Sequence, residues 1–210
     1  MFTQDTTPVH IQFHFDPACP LAWRTALWIR EARAVRPINI TWRAFSLEVV
    51  NRKPGVTPDY AKDGSWVAQR TLALAGHKFG NEAVERLYVA LGNARHGFGE
   101  DIRSAEGVRA ALKRAELEPA LVDEALADET TIEDVLRDHH EAVNRYRAFG
   151  VPTIAINGSN VGFYGPIIQD VPRGEAAGEL WDYTAWALRQ PNLFELKRDR
   201  KAGQWGPVAG

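Results

Sequence analysis

Cys19 is the single cysteine among 210 residues, and its setting is one in which a thiol does chemistry. It stands in Phe13-His14-Phe15-Asp16-Pro17-Ala18-Cys19-Pro20-Leu21-Ala22-Trp23, where an apolar alternating run ends and Pro20 opens a segment of helical period. A thiol at a helix start faces unpaired backbone N–H groups and the positive end of the helix dipole, and both favour the thiolate. Cysteines in such places ionise at about 3.5–7.5 rather than about 8.5. The sequence therefore predicts a lowered pKa at Cys19; the alternative is a buried cysteine acting as a small apolar side chain. A dithiol Cys-x-x-Cys would put its second cysteine at position 22, where Ala22 stands. One thiol cannot resolve its own mixed disulfide, so release of Cys19 needs an external thiol.

The flanking elements must hold this thiol. Val9, Ile11, Phe13 and Phe15 alternate with His10, Gln12 and His14, the signature of a half-buried strand. From Pro20 the period becomes helical, with Leu21, Thr25, Trp28, Ile29, Ala32 and Val35 on one face and Arg24 and Glu31 outside it. Pro20 suits a first helical turn, where its missing N–H is not needed. After Pro37, Ile38, Ile40 and Trp42 alternate in a second strand, which predicts a right-handed parallel crossover. Asn51 to Gly64 holds Pro54, Gly55 and Pro58 and reads as a loop. Helical patterns then run from Ser65 to about Phe149 without a strand between them. Thr153 to Ile156 is a short strand, Asn157-Gly158 a turn signal, and Val161 to Tyr164 the returning strand. A last helix follows from about Gly174 to Arg189, and the tail after Pro191 is charged and contains Gly and Pro. The order βαβ, helices, ββα predicts an α/β, thioredoxin-like fold with an all-helical domain inserted between its halves. The expected boundaries are 1–50 and 150–190 for the thioredoxin-like domain, 51–149 for the insertion and 191–210 for the tail.

A net charge of −2 and a pI near 6.3 give no electrostatic reason to expect nucleic acid or a membrane surface as partner. The polar start, Met1 to Pro8, does not read as a signal peptide, and no apolar run approaches transmembrane length. One cysteine makes no internal disulfide, so a cytoplasmic location is expected. Seven tryptophans can fill a core or line a pocket for a flat ligand.

The chain resembles the DsbA-like branch of the thioredoxin superfamily, and more closely the mycothiol-dependent nitroreductase family. The likeness rests on Phe15-Asp16-Pro17-Ala18-Cys19-Pro20, Ser46 to Asn51, Gly92-Asn93-Ala94-Arg95-His96, His139-His140, Pro152-Thr153-Ile154, Phe163 to Pro166, Pro172 to Gly178, Leu180-Trp181-Asp182 and Phe194 to Arg198, in order along nearly the whole chain. It implies a thiol-dependent reductase that takes electrons from mycothiol. It also implies a cis Val151-Pro152 bond beside the thiol. The family motif is usually Cys-Pro-Trp-Cys; here Leu21 and Ala22 replace its last two residues, and Trp23 matches the aromatic that follows. Homodimers are a further implication, without a surface in the sequence that marks them.

Cys19 and Pro152 are thus the expected catalytic pair. Pro20, Leu21, Ala22, Trp23 and Val151 are expected around the bound thiol, and by resemblance Asn51, Tyr60, Asn93 and His96 face the same cleft. Asn93 and His96, three apart, share a face if a helix reaches them, and capping is the alternative for both. His139 falls on an apolar helical face and reads as a core residue. Adjacent His139 and His140 point in different directions and lack a third ligand, so no metal is expected. Nor is a tightly bound cofactor: the expected partners are a small, mycothiol-like thiol as cosubstrate and a small electrophilic or disulfide substrate. Two other functions stay open. Kappa-type glutathione transferases and chromene-carboxylate isomerases also insert helices into this fold, with a serine usual at the helix start. A noncatalytic binding protein would also lose the resolving thiol.

Overall fold

The computed structural model describes residues 7–199 and 206–210. The expected period switch is there: strand β1 (Val9–Phe15) runs into helix α1 (Pro20–Arg33), and the chain returns as β2 (Ile38–Ala44), parallel to β1. Helices α2 (Leu47–Asn51), α3 (Trp66–Phe79), α4 (Asn81–Gly92), α5 (Ala105–Arg114), α6 (Leu121–Ala127) and α7 (Thr130–Tyr146) follow. A π-helical turn, Asn93–Gly97, continues α4. The chain then re-enters the sheet as β3 (Thr153–Ile156) and β4 (Gly162–Tyr164) and ends its regular structure with α8 (Gly174–Leu188). The sheet order is β2-β1-β3-β4, with β3 antiparallel to β1 and β4 antiparallel to β3.

Three local expectations differ from the structure. β1 is not half-buried: its polar positions Gln12 and His14 are buried as well as Ile11, Phe13 and Phe15. The cause is that both faces are covered. Phe15 stacks on Tyr88 of α4, ring centroids 3.8 Å apart, while His14 on the opposite face meets Tyr146 of α7 at 5.7 Å. Helix α1 is likewise enclosed on nearly every side, so Arg24 is buried and Val35, past the helix end, is exposed. The β3–β4 connection spans residues 157–161, longer than a two-residue turn, with Gly158 at φ 81°.

Helix α1 is fixed from two sides. Trp28 Nε1–H donates to the Ala177 carbonyl in α8 at 3.0 Å, and Arg36, just beyond α1, bridges Glu175 and Asp182 of α8. On the other side, Arg30 and Arg33 share Glu85 of α4, whose second oxygen also accepts from Trp42 Nε1–H at 3.1 Å. The strand–helix unit that carries Cys19 is therefore tied to α8 and to the helices between β2 and β3.

Candidate active site

Cys19 is the N-cap of α1, with extended backbone at φ −83° and ψ 113°, and Pro20 takes the first helical position. The geometry expected of a thiol at a helix start is present: the Ala22 N–H donates to Cys19 Sγ at 3.4 Å. The Sγ–H donates in turn to the Val151 carbonyl at 3.5 Å, and the Val151-Pro152 peptide bond is cis, as the likeness implied. Thr153 Oγ1–H donates to the Gly150 carbonyl at 2.8 Å and pins that turn.

The thiol pKa departs from expectation. Cys19 is only 5% exposed. Burial pushes its thiol up, the amides of Ala22 and Leu21 pull it down without compensating, and the negative charge of Asp16 adds to the rise. Burial strips the thiolate of water, a larger effect here than two N–H dipoles supply. The thiol in this conformation is held neutral.

Asp16 organises the loop before the cysteine, a role the sequence did not reveal. One carboxylate oxygen accepts from the Ala18 N–H at 2.9 Å and the Ser65 hydroxyl at 2.6 Å. The other accepts from the Leu47 N–H at 2.8 Å and Gln69 Nε2 at 3.0 Å. The Cys19 N–H closes the turn on the Asp16 carbonyl at 2.9 Å. Burial raises the Asp16 carboxyl while these four donors oppose the rise. One side chain thereby binds the cysteine loop to the starts of α2 and α3. The only local signal was an Asp preceding a Pro, which is common in turns.

Trp23, His96 and Asn93 do come together. Trp23 is buried against Tyr88 and lies over His96. It packs so closely on α4 that a Cβ at Gly92 would sit 2.2 Å from its ring. His96 Nε2–H donates to the Pro17 carbonyl at 2.9 Å, linking the π-helical turn to the cysteine loop. Burial lowers the His96 pKa, more than the Pro17 bond restores it, with smaller depressions from Arg95 and Arg24; its ring is neutral. Asn51 and Tyr60 have partners of their own. The Asn51 amide donates to the Leu47 carbonyl within α2, and Tyr60 packs on Trp66 with Arg52 over its ring. His139 is a core residue: its Nδ1 accepts from the Ser46 N–H at 3.3 Å. Among the described residues, no group of three His, Cys, Asp or Glu side chains could hold a metal, and no helix is long and apolar enough to cross a membrane.

A thioredoxin-type sheet, a cysteine capping the first helix and a cis-proline turn at its sulfur define the class: a DsbA-like thioredoxin fold. Within it, the chain belongs to the Rv2466c-like family, described as mycothiol-dependent nitroreductase Rv2466c, whose model matches residues 18–198. Among relatives, the uncharacterised protein Rv2286c of Mycobacterium tuberculosis is 35% identical over 192 residues, covering 90% of this chain and 82% of that protein. A probable DsbA oxidoreductase of Streptomyces coelicolor, SCO1869, superposes with TM-score 0.60 at 20% identity, over 96% of this chain and 99% of that one. The cytosolic disulfide reductase DsbM of Pseudomonas aeruginosa, solved with GSH, gives TM-score 0.60 at 11% identity, over 85% and 100%. At these identities the two structures speak to the fold alone.

Proposed function

We propose that the protein is a monothiol oxidoreductase in which Cys19 forms a mixed disulfide with a small thiol, mycothiol by family. The observation that carries this reading is the pairing of Cys19 Sγ with the Val151 carbonyl at the cis-Pro152 turn, in a chain whose position 22 is alanine. Cys19 and Pro152 are its catalytic residues. This reading sets Pro20, Leu21, Ala22, Trp23, Asn93, His96 and Val151 around the bound thiol, with Asn51 and Tyr60 joined to them by family likeness.

The cycle has two exchanges. The Cys19 thiolate attacks a disulfide RS–SR′; that S–S bond breaks as Cys19 Sγ–SR forms, and R′S⁻ leaves and takes up a proton. A second thiol RSH then attacks, as thiolate, the sulfur of the bound SR group. RSSR departs, and Cys19 returns to the thiol after protonation. The net change is RS–SR′ + RSH → RSSR + R′SH: the R′S group is released as a thiol while RSH is oxidised into RSSR, without a second protein thiol.

The test is intact mass spectrometry of the native protein after exposure to an oxidised small thiol. A single adduct at Cys19, removed by excess free thiol, supports the cycle; no adduct overturns it. The neutral, buried thiol favours a second reading, a noncatalytic binding protein, for which native Cys19 would resist both the disulfide and alkylation.

A further inference from the structure

The segment Gly206–Gly210 lies against the very residues expected to bind the small thiol. Trp23 Nε1–H donates to the Val208 carbonyl at 2.7 Å, and the Val208 N–H donates to the His96 carbonyl at 3.0 Å. The Asn93 carboxamide pairs reciprocally with Gly210: its Nδ2 donates to the Gly210 carbonyl at 3.0 Å, and its Oδ1 accepts the Gly210 N–H at 2.7 Å. Arg24 Nη2 donates to the Gly206 carbonyl. The fit is close. A Cβ at Gly210 would stand 2.1 Å from Leu27 Cδ2, and one at Gly97 would stand 3.1 Å from Ala209 Cβ. Between this segment and α1 a cavity of about 250 Å³ remains, lined by Pro20, Trp23, Arg24 and His96 on one side and Pro207 and Val208 on the other.

These contacts read main chain, not side chain. An indole N–H takes only an acceptor, a backbone carbonyl takes only a donor, and the Asn93 carboxamide takes both the N–H and the C=O of one residue. A ligand without a hydrogen-bond acceptor at this point would leave the indole N–H unmatched, which costs about 1–3 kcal/mol, and an amide-bearing ligand supplies that acceptor together with the donor that the His96 carbonyl takes. The groove is thus suited to a thiol built on amides, and here it is filled by amides of the chain itself.

We propose that Gly206–Gly210 is an internal occupant of the small-thiol groove, and that an amide-bearing thiol or its disulfide must displace it from Trp23, Asn93 and His96 to reach Cys19. The inference rests on the groove being the thiol site. A tethered segment competes at high effective concentration. If the segment is seated nine-tenths of the time, it weakens apparent thiol binding about tenfold.

The experiment compares the full chain with one ending at Trp205 and with full-length Val208→Pro, which keeps the length but loses the N–H to His96. Two probes are used: glutathione disulfide, which carries amides, and hydroxyethyl disulfide, which carries none. The expected result is that shortening speeds adduct formation at Cys19 by glutathione disulfide about tenfold, that Val208→Pro acts in the same direction, and that the hydroxyethyl rate changes far less. A synthetic peptide of residues 206–210 should restore the slow rate of the shortened chain. Equal acceleration of both probes, or of neither, overturns the proposal. If no chain forms an adduct with either disulfide, the monothiol reading fails. Calorimetry of the peptide on the shortened chain then still decides whether Gly206–Gly210 occupies the groove: binding that glutathione competes away supports it, and no binding overturns it.

Discussion

The Cys19 thiol and the Val151 carbonyl meet at 3.5 Å across 132 residues of sequence. That contact joins the cysteine-bearing half of the sheet to the half that carries the cis-proline turn, and it holds the hydrogen on sulfur. Burial raises the thiol, and the carbonyl at the sulfur is an acceptor that offers a thiolate no donor.

Reactivity should therefore go on rising with pH past the range of an ordinary cysteine, about 8.5. Alkylation of native Cys19 by iodoacetamide should still be accelerating there, while in denaturant the rate should level off in the usual range. A native rate that plateaus below neutrality would show a lowered thiol instead.

Asp16→Asn should separate stability from reactivity. The carboxylate accepts from Ala18, Ser65, Leu47 and Gln69, whereas a carboxamide keeps one acceptor oxygen, so about 1–3 kcal/mol of stability should be lost through unmatched buried donors. Removal of the negative charge should also lower the Cys19 thiol and quicken its alkylation at neutral pH. Denaturant melts and alkylation rates on one preparation check both signs; slower alkylation would contradict the electrostatic part.

Two buried histidines set a stability limit on the acid side. His14 is depressed to about 3 by burial, with Arg43 adding to it, and His139 to about 4 by burial, with His140 adding to it. Both folded values lie below the unfolded one of about 6.5. The stability they contribute is present above that value and is lost as pH falls from it toward their folded values. By pH 5 each should have cost about 2 kcal/mol. Urea midpoints from pH 7.5 to 4.5 should fall accordingly, and His14→Gln should flatten the slope. A profile flat to pH 4.5 would contradict the burial of both rings.

Gly92→Ala should disturb the site without touching the cysteine. Its methyl would meet the Trp23 ring at 2.2 Å, so either α4 or the indole must move. The expected cost is about 1–3 kcal/mol, with weakened small-thiol binding as Trp23 loses its place beside His96. Unchanged stability and binding would mean that the ring has room the packing does not show.

What was legible in the sequence was what local spacing encodes. The alternation from Val9 to Phe15, the change of period at Pro20 and the return at Ile38 gave β1, α1 and β2, since each is decided by neighbours a few residues apart. The four donors on Asp16 come from separate segments, and no local pattern gathers Ala18, Leu47, Ser65 and Gln69. The direction of the Cys19 pKa was misread for a similar reason: a helix start is local, but burial is imposed by distant chain. Gly206–Gly210 has no periodicity, and its recognition runs through its main chain, which side-chain types do not report. The five-residue helix α2 is too short for a periodic signal.

The most direct measurement is the intact mass of the native protein after incubation with the disulfide of mycothiol, followed by addition of the free thiol. A monothiol cycle predicts one adduct, mapped to Cys19, that persists until free thiol is added and then disappears. Ala22→Cys, which places a second thiol at the residue whose amide already touches Cys19 Sγ, should shorten the life of that adduct. Failure of the native protein to take up any adduct, with Cys19 reacting readily once unfolded, would contradict the cycle.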